Sequence, residues 1–267
     1  MRALSSLRLI LIGLLVGEGW LAILLGPGKV ASAAANETAA RRPVLVELFT
    51  SEGCSSCPPA DALLARLDAT QSVPGAQVIV LSEHVTYWNQ DGWHDPFSMD
   101  AMTDRQKRYQ DRLNLSDVYT PQAVVDGAVQ MVGSDERKLT AAVAQAATAA
   151  KSELTIQDAQ WAGNAVKFSV KGAADSKTVL VAALAEDSAQ TDVKAGENKG
   201  KNLHEVAVVR VLEEMGKGAD DGRALTLKAP AGKAGETAPS RPMRLVVFVA
   251  DRHNGHVVAA AERMMSR

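Results

Sequence analysis

The stretch VELFTSEGCSSCPPAD, residues 46–61, decides how this chain is read. A hydrophobic run ends in a short polar loop, Cys54 and Cys57 stand three apart, and Pro58 and Pro59 follow. These are the only two cysteines in 267 residues. From Pro58 to Ala69 the apolar positions Ala62, Leu63, Ala65 and Leu67 make a helical stripe. Prolines are tolerated in a first helical turn, where N–H groups lack intrahelical partners. The motif therefore reads as strand, loop and helix, with the cysteines at the helix entrance.

Three roles are open to such a pair. As a structural staple it closes only a four-residue loop, worth about 2 kcal/mol by chain entropy, against about 4.7 for a hundred-residue loop. As a metal site it supplies half of a tetrahedral set, and no second cysteine pair exists; His84 and His94 would have to complete it. Met99 and Met102 in the same half would suit a softer ion such as copper. As a dithiol it gains from the helix N-terminus, which favours a thiolate, and from a spacing that lets a disulfide form and break with little backbone movement. On that reading Cys54, nearer the loop, is the exposed attacker and Cys57 the resolving thiol. Asp61 sets a negative charge nearby that opposes a thiolate.

Outward from the motif, PVLVELFTS (43–51) and AQVIVLSE (76–83) read as buried strands of a parallel sheet. A long aromatic loop and a helix from about Ser98 to Leu113 follow. QAVVDGAVQMVG then gives two short strands turning tightly at Asp126-Gly127, and an Ala-rich helix over 135–151 closes this half. From about residue 152 the pattern changes to short alternating strands separated by Gly-, Asp- and Lys-rich loops, as in an antiparallel sandwich. The expected organisation is an α/β domain over 43–151 followed by a β-rich, sandwich-like domain over 152–267.

Hydrophobic content of 46% and charged content of 22% describe a globular chain. Arg2, Arg8 and Lys29 against Glu18 give the first 35 residues +2, which leaves −4 of the net −2 on the remainder. That balance argues against nucleic acid and against an anionic membrane surface as partners. Residues 1–35 read as a signal peptide: a positive start, the apolar run 9–26, and an A-x-A cleavage site at Ala31 and Ala33. Retained as an anchor, the run would bury Glu18 in the bilayer at a cost of roughly 3 kcal/mol. The expected location is the periplasm or outside the cell, where disulfides persist. Membrane contact is expected only through this segment, if uncleaved.

The order strand, C-x-x-C at a helix start, strand, helix, X-Pro before a hairpin, and a last helix resembles the thioredoxin superfamily. More closely, VELFTSEGCSSCPPAD, LSEHVTYWNQDGWHDPFS, VYTPQAVVDG and GENKGKNLHEV resemble a family of secreted bacterial proteins with a thioredoxin-like domain followed by a β-rich domain. The resemblance spans most of residues 43–262. It implies that Cys54 and Cys57 are the redox pair and that Pro121 is the cis-proline facing them. The Thr120 backbone would then pair with an extended substrate segment. Glu47 would match the buried acid of thioredoxins, relaying a proton from Cys57, if one residue is inserted before Cys54; the alternative is a strand-end or ion-paired glutamate. Gly53, Ser55, Ser56 and Pro58 depart from thioredoxins proper, at positions that influence reduction potential and partner choice.

Seven of the eleven aromatic residues lie between Phe49 and Tyr119, and Tyr87, Trp88, Trp93 and Phe97 crowd one loop. Trp88 and Trp93 are candidate walls of a binding site over the dithiol, or the small core that a long loop needs to stay folded. His84 is a candidate acid–base group near the sulfurs, or a structural histidine with its partners satisfied. In the second half, Glu197, Asn198 and His204 mark a candidate functional loop, for which the plainer reading is a solvated sandwich loop. The expected activity is thiol–disulfide exchange with a protein or small-molecule thiol or disulfide, with no cofactor and no resident metal. The rival is a catalytically silent ligand- or copper-binding module on the same scaffold.

Overall fold

The hydrophobic run before the cysteines forms β1 (Arg42–Thr50), followed by α1 (Pro58–Thr70), β2 (Ala76–His84) and α2 (Asp100–Arg112). The hairpin β3 (Gln122–Val125) and β4 (Val129–Val132) comes next, then α3 (Glu136–Thr148). The structure is a computed structural model and describes residues 41–172, 175–217, 222–229 and 241–265. The signal peptide expected over 1–35 lies outside the described residues.

Local chemistry explains these elements. Pro58 and Pro59 open α1, and its far end is held by Gln71, whose side chain exchanges two hydrogen bonds with the backbone of Val78 (2.9 and 2.8 Å). Asp135 caps α3 by accepting from the Lys138 amide. Asp126 and Gly127 both take left-handed φ (48° and 64°), the geometry that a two-residue hairpin turn demands. β1 and β2 pair in parallel from Arg42↔Ala76 to Thr50↔His84. β3 lies antiparallel to β1, and β4 to β3.

The second half supplies β5 (Leu154–Ala162), β6 (Ala165–Gly172), β7 (Thr178–Asp192), β8 (Asn202–Lys217), β9 (Leu225–Lys228), β10 (Met243–Asp251) and β11 (Val257–Met265). Four of these do not form a sheet of their own. They extend the first half's sheet into eight strands in the order β11-β10-β7-β8-β2-β1-β3-β4, joined where Ser82 of β2 pairs in parallel with Val208 of β8. Among the described residues, β5, β6 and β9 make a separate three-stranded sheet. The boundary expected at 151/152 lies between α3 and β5, and the large sheet takes strands from both sides of it. Alternation tells which face of a strand is buried, but not which neighbour its backbone pairs with. The result is a mixed α/β domain dominated by one large sheet of antiparallel and parallel pairs.

Period-two alternation buries both faces of that sheet. Leu180, Ala182 and Leu184 of β7 and Leu245, Val247 and Val249 of β10 pack against Val166, Phe168 and Leu227 from the small sheet. Val179, Val181 and Ala183, with Val246 and Phe248, point the other way into the core around β1, β2, α1 and α3. The start of β11 meets the β3–β4 turn: Val257 N donates to Asp126 O (2.8 Å). Lys151 Nζ bridges Asp126 Oδ2 (2.6 Å) and Val257 O (2.7 Å).

Candidate functional site

Cys54 and Cys57 form a disulfide at the entrance of α1, with Cα atoms 5.4 Å apart and Cys57 as the N-cap residue. The site lies beyond the carboxyl ends of the parallel pair β1/β2. The turn is wound on its own backbone: Cys54 N donates to Ser51 O (3.1 Å), Cys57 N to Cys54 O (3.2 Å), and Ala60 N and Asp61 N both donate to Cys57 O (2.8 and 3.1 Å). Pro58 and Pro59 have no N–H. The usual free donors of a helix start are therefore absent or engaged around the sulfurs. A side-chain contact, Ser56 Oγ at 3.4 Å from Cys54 Sγ, remains.

Cys54 is not the exposed sulfur that its place before the helix suggests. Both cysteines have 0% of their surface exposed, while Ser55 and Ser56 between them are open to solvent. Two loops pack against the turn. In the loop between β2 and α2, Trp88 lies against Gly53: a Cβ added there would sit 3.1 Å from Trp88 Cβ. The Trp88 indole donates to Thr120 Oγ1 at 2.7 Å, tying the cysteine turn to the Thr120-Pro121 segment. The Thr120-Pro121 bond is cis. Gly133 fits between Pro121 and the first turn of α1, where a Cβ would meet Ala60 Cβ at 3.2 Å and Pro121 Cβ at 3.4 Å.

The second cover is the loop between β7 and β8. Asn198 is buried, and its Nδ2 donates to Glu52 O (2.8 Å) and Cys54 O (2.9 Å). Glu197 accepts from Ser55 N at 3.0 Å. Trp93 donates from its indole to Glu52 Oε2 (2.7 Å) and touches Gly196, whose φ of +72° and close neighbours leave no room for a side chain. His204, the third candidate in this region, is exposed and lies outside the contact.

A group of buried ionisable side chains lies beside this turn. Asp95 organises it: Oδ2 accepts from Glu52 N (2.9 Å) and meets His84 Nδ1 (2.7 Å), while Oδ1 accepts from Phe97 N (2.8 Å). Burial pulls the His84 imidazole toward neutrality, but Asp95, Glu205 and Asp61 outweigh it and raise its pKa to about 9. Asp95 resists the upward push of burial and stays below the usual carboxylate range, through the His84 charge and three hydrogen bonds. Asp61 accepts from Thr50 Oγ1 at 2.8 Å, and burial pushes its carboxyl to about 7 against the His84 charge. Burial raises Glu205 to about 8 and also raises Glu52. Glu52 Oε1, His84 Nε2 and Glu205 Oε2 are buried and meet no hydrogen-bonding side chain or backbone group. Among the described residues, no three His, Cys, Asp or Glu side chains are arranged to hold a metal ion.

The candidates read from sequence divide in two. Cys54, Cys57, Trp88, Trp93, Thr120 and Pro121 are linked through the contacts above, and His84 is linked to the turn through Asp95. Glu47 is not. It faces α2, where Arg105 Nε donates to Oε1 at 2.6 Å and the Tyr109 hydroxyl donates to Oε2. Thr50, three residues on, faces α1 instead, because neighbouring positions of a strand point to opposite faces. Glu47 is the ion-paired strand glutamate, and Asp61 is the buried carboxyl on the cysteine side. Sequence reading missed Asp95 and Glu205. Glu205 did leave a signal, since it occupies the inward phase of Leu203, Glu205, Ala207, where a charged residue needs a reason.

The geometry can be set beside known proteins. No curated protein matches the chain. A crystal structure of a protein from Agrobacterium tumefaciens is similar, with a TM-score of 0.59 and 28% identity, over 84% of this chain and 94% of that one. The family model described as "Protein of unknown function (DUF1223)" matches residues 45–250, which takes in both cysteines, the aromatic loop, Pro121 and the Glu197–Asn198 loop. The chain belongs to the DUF1223 family.

Proposed function

We propose that this protein is an exported thiol–disulfide oxidoreductase whose first half, residues 43–151, is thioredoxin-like. The order β1-α1-β2-α2-β3-β4-α3, with a parallel pair followed by an antiparallel hairpin, supports the architecture. One observation carries the chemistry: a disulfide on the entrance turn of α1, tied through Trp88 to a cis Thr120-Pro121 segment. In the reduced protein, the Cys54 thiolate attacks a partner disulfide and expels one partner thiolate. Cys57, losing its proton, then attacks Cys54 and expels the second. Two electrons pass to the partner, and the Cys54–Cys57 disulfide is left. The reverse sequence oxidises a partner dithiol. Asp61 and Glu205, pushed up to about 7 and about 8, and His84, raised to about 9, supply groups that exchange protons beside the cysteine turn.

Replacing Cys57 with Ser tests this reading. Mixed disulfides with partners should accumulate on non-reducing gels and vanish on reduction. If no adducts form, and the wild-type pair also fails to exchange with glutathione, the oxidoreductase reading is lost.

The full burial of both sulfurs favours a second reading, a ligand- or copper-binding module without turnover. Stoichiometric copper in the reduced protein, absent from Cys54→Ser, would select it.

A further inference from the structure

The cover over the cysteine turn comes from far along the chain, between β7 and β8. At its base Val193 and Lys201 extend the strand ladder: Val193 N donates to Lys201 O (3.0 Å) and Gly200 N to Val193 O (2.8 Å). Between these anchors, residues 194–200 read KAGENKG, with Ala195 as the one apolar side chain. Gly196 and Gly200 flank the tip with positive φ of 72° and 83°. Such a segment exposes little apolar surface when it moves, so the hydrophobic effect does not hold it shut.

What holds it is polar and specific. Asn198 Nδ2 reaches Glu52 O and Cys54 O, and Glu197 reaches Ser55 N. Lys201 Nζ donates to Asn198 Oδ1 at 2.8 Å, which fixes the amide with its N–H groups toward the two carbonyls. Turned over, the amide would set oxygen against oxygen and nitrogen against an ammonium. All three bonds end on main-chain groups of the cysteine turn, so they are indifferent to the side chains at 55 and 56.

We propose that residues 194–200 are a lid with Asn198 as its latch, and that the lid must lift before Cys54 exchanges with a partner. This rests on the redox reading of the pair. Closed, the lid helps keep both sulfurs out of solvent. Open, it frees the Ser55 N–H and one lone pair of the Cys54 carbonyl, whose other partner is Cys57 N, giving one donor and one acceptor that an extended segment of a partner can pair with.

The test follows reduction of the disulfide in the oxidised protein by a water-soluble phosphine, which needs access to sulfur but no thiol exchange. Asn198→Ala and Asn198→Asp should be reduced faster than wild type by about 5- to 30-fold, the span set by one or two net hydrogen bonds. Glu197→Ala alters an exposed side chain and should give a smaller acceleration with an unchanged melting temperature, which covers the case in which an Asn198 variant fails to fold. Equal rates in wild type, Glu197→Ala and any folded Asn198 variant would overturn the lid. Glutathione exchange, measured in parallel, separates the two ideas. Faster phosphine reduction without any thiol exchange keeps the lid and removes the oxidoreductase.

Discussion

Arg105 and Glu47 form a buried ion pair across the interface between α2 and β1, Nε to Oε1 at 2.6 Å, and Tyr109 donates to the second carboxylate oxygen. A second acid, Glu83, stands 3.5 Å from the same guanidinium with neither of its oxygens hydrogen-bonded. Burial, then the Glu47 charge, holds Glu83 well above the ordinary carboxylate range, so one arginine faces one carboxylate and one neutral acid. The arrangement locks α2 to β1 through contacts that run to Arg105 and Tyr109 and not to the cysteine turn.

The lock makes its own prediction. In Glu47→Gln, Glu83 is free to ionise opposite Arg105, so the stability lost in urea unfolding should stay below about 3 kcal/mol. Glu47→Gln with Glu83→Gln leaves the arginine unpaired and should lose about 3–5 kcal/mol, more than the single losses combined. Glutathione exchange should be unchanged by Glu47→Gln. A slowed exchange at constant stability would restore Glu47 as a relay.

Asp61 should make stability fall as pH rises. Burial lifts its carboxyl from 3.8 to about 7, so the folded chain holds this proton more tightly than the unfolded chain. The stability from that proton is complete below about pH 4 and is lost as pH rises through 7. Asp61→Asn keeps an oxygen for Thr50 and carries no charge. It should match wild type near pH 4 and exceed it by about 2–4 kcal/mol at pH 8, since each tenfold gain in proton affinity on folding is worth about 1.4 kcal/mol. A stability difference that does not move with pH would refute the assignment.

The His84–Asp95 pair works in a different window. His84 is raised to about 9 and Asp95 lowered, so the pair's contribution is full between about pH 4 and 6.5 and fades as pH climbs through 9. Asp95→Asn should lose about 3–5 kcal/mol at pH 5.5 and much less at pH 9.5. The His84 ring proton signals should titrate near 9 in wild type and well lower in the variant. Titration near the ordinary histidine value in both would show that the ion pair does not form.

These groups also mark where sequence reading stops. The cis Thr120-Pro121 bond is reached only through the family resemblance, whereas the cysteine turn and the Asp126-Gly127 hairpin are legible because each depends on residues within a few positions. The parallel contact at Ser82↔Val208 and the Asn198 bonds to the cysteine turn, 144 and 146 residues apart, are not. Nothing local distinguishes a loop that folds over a distant site from one that faces water. The surroundings of Glu47 escape sequence reading for a related reason: the choice of face turns on strand phase, and one residue of displacement reverses it.

A helix start stabilises a thiolate through free N–H groups and its dipole. Here positions 58 and 59 are prolines, and the next two N–H groups already serve Cys57 O. The disulfide gives up little by not being a thiolate, so equilibrium with glutathione should lie toward the protein disulfide. Pro58→Ala returns one N–H to the first turn, where a negative sulfur gains about 0.3–1 kcal/mol. The equilibrium should then move toward the dithiol by about two- to fivefold, read by quantifying alkylated thiols at fixed glutathione ratios. A shift toward the disulfide would mean that the prolines favour the dithiol by another route, and the donor argument would fail.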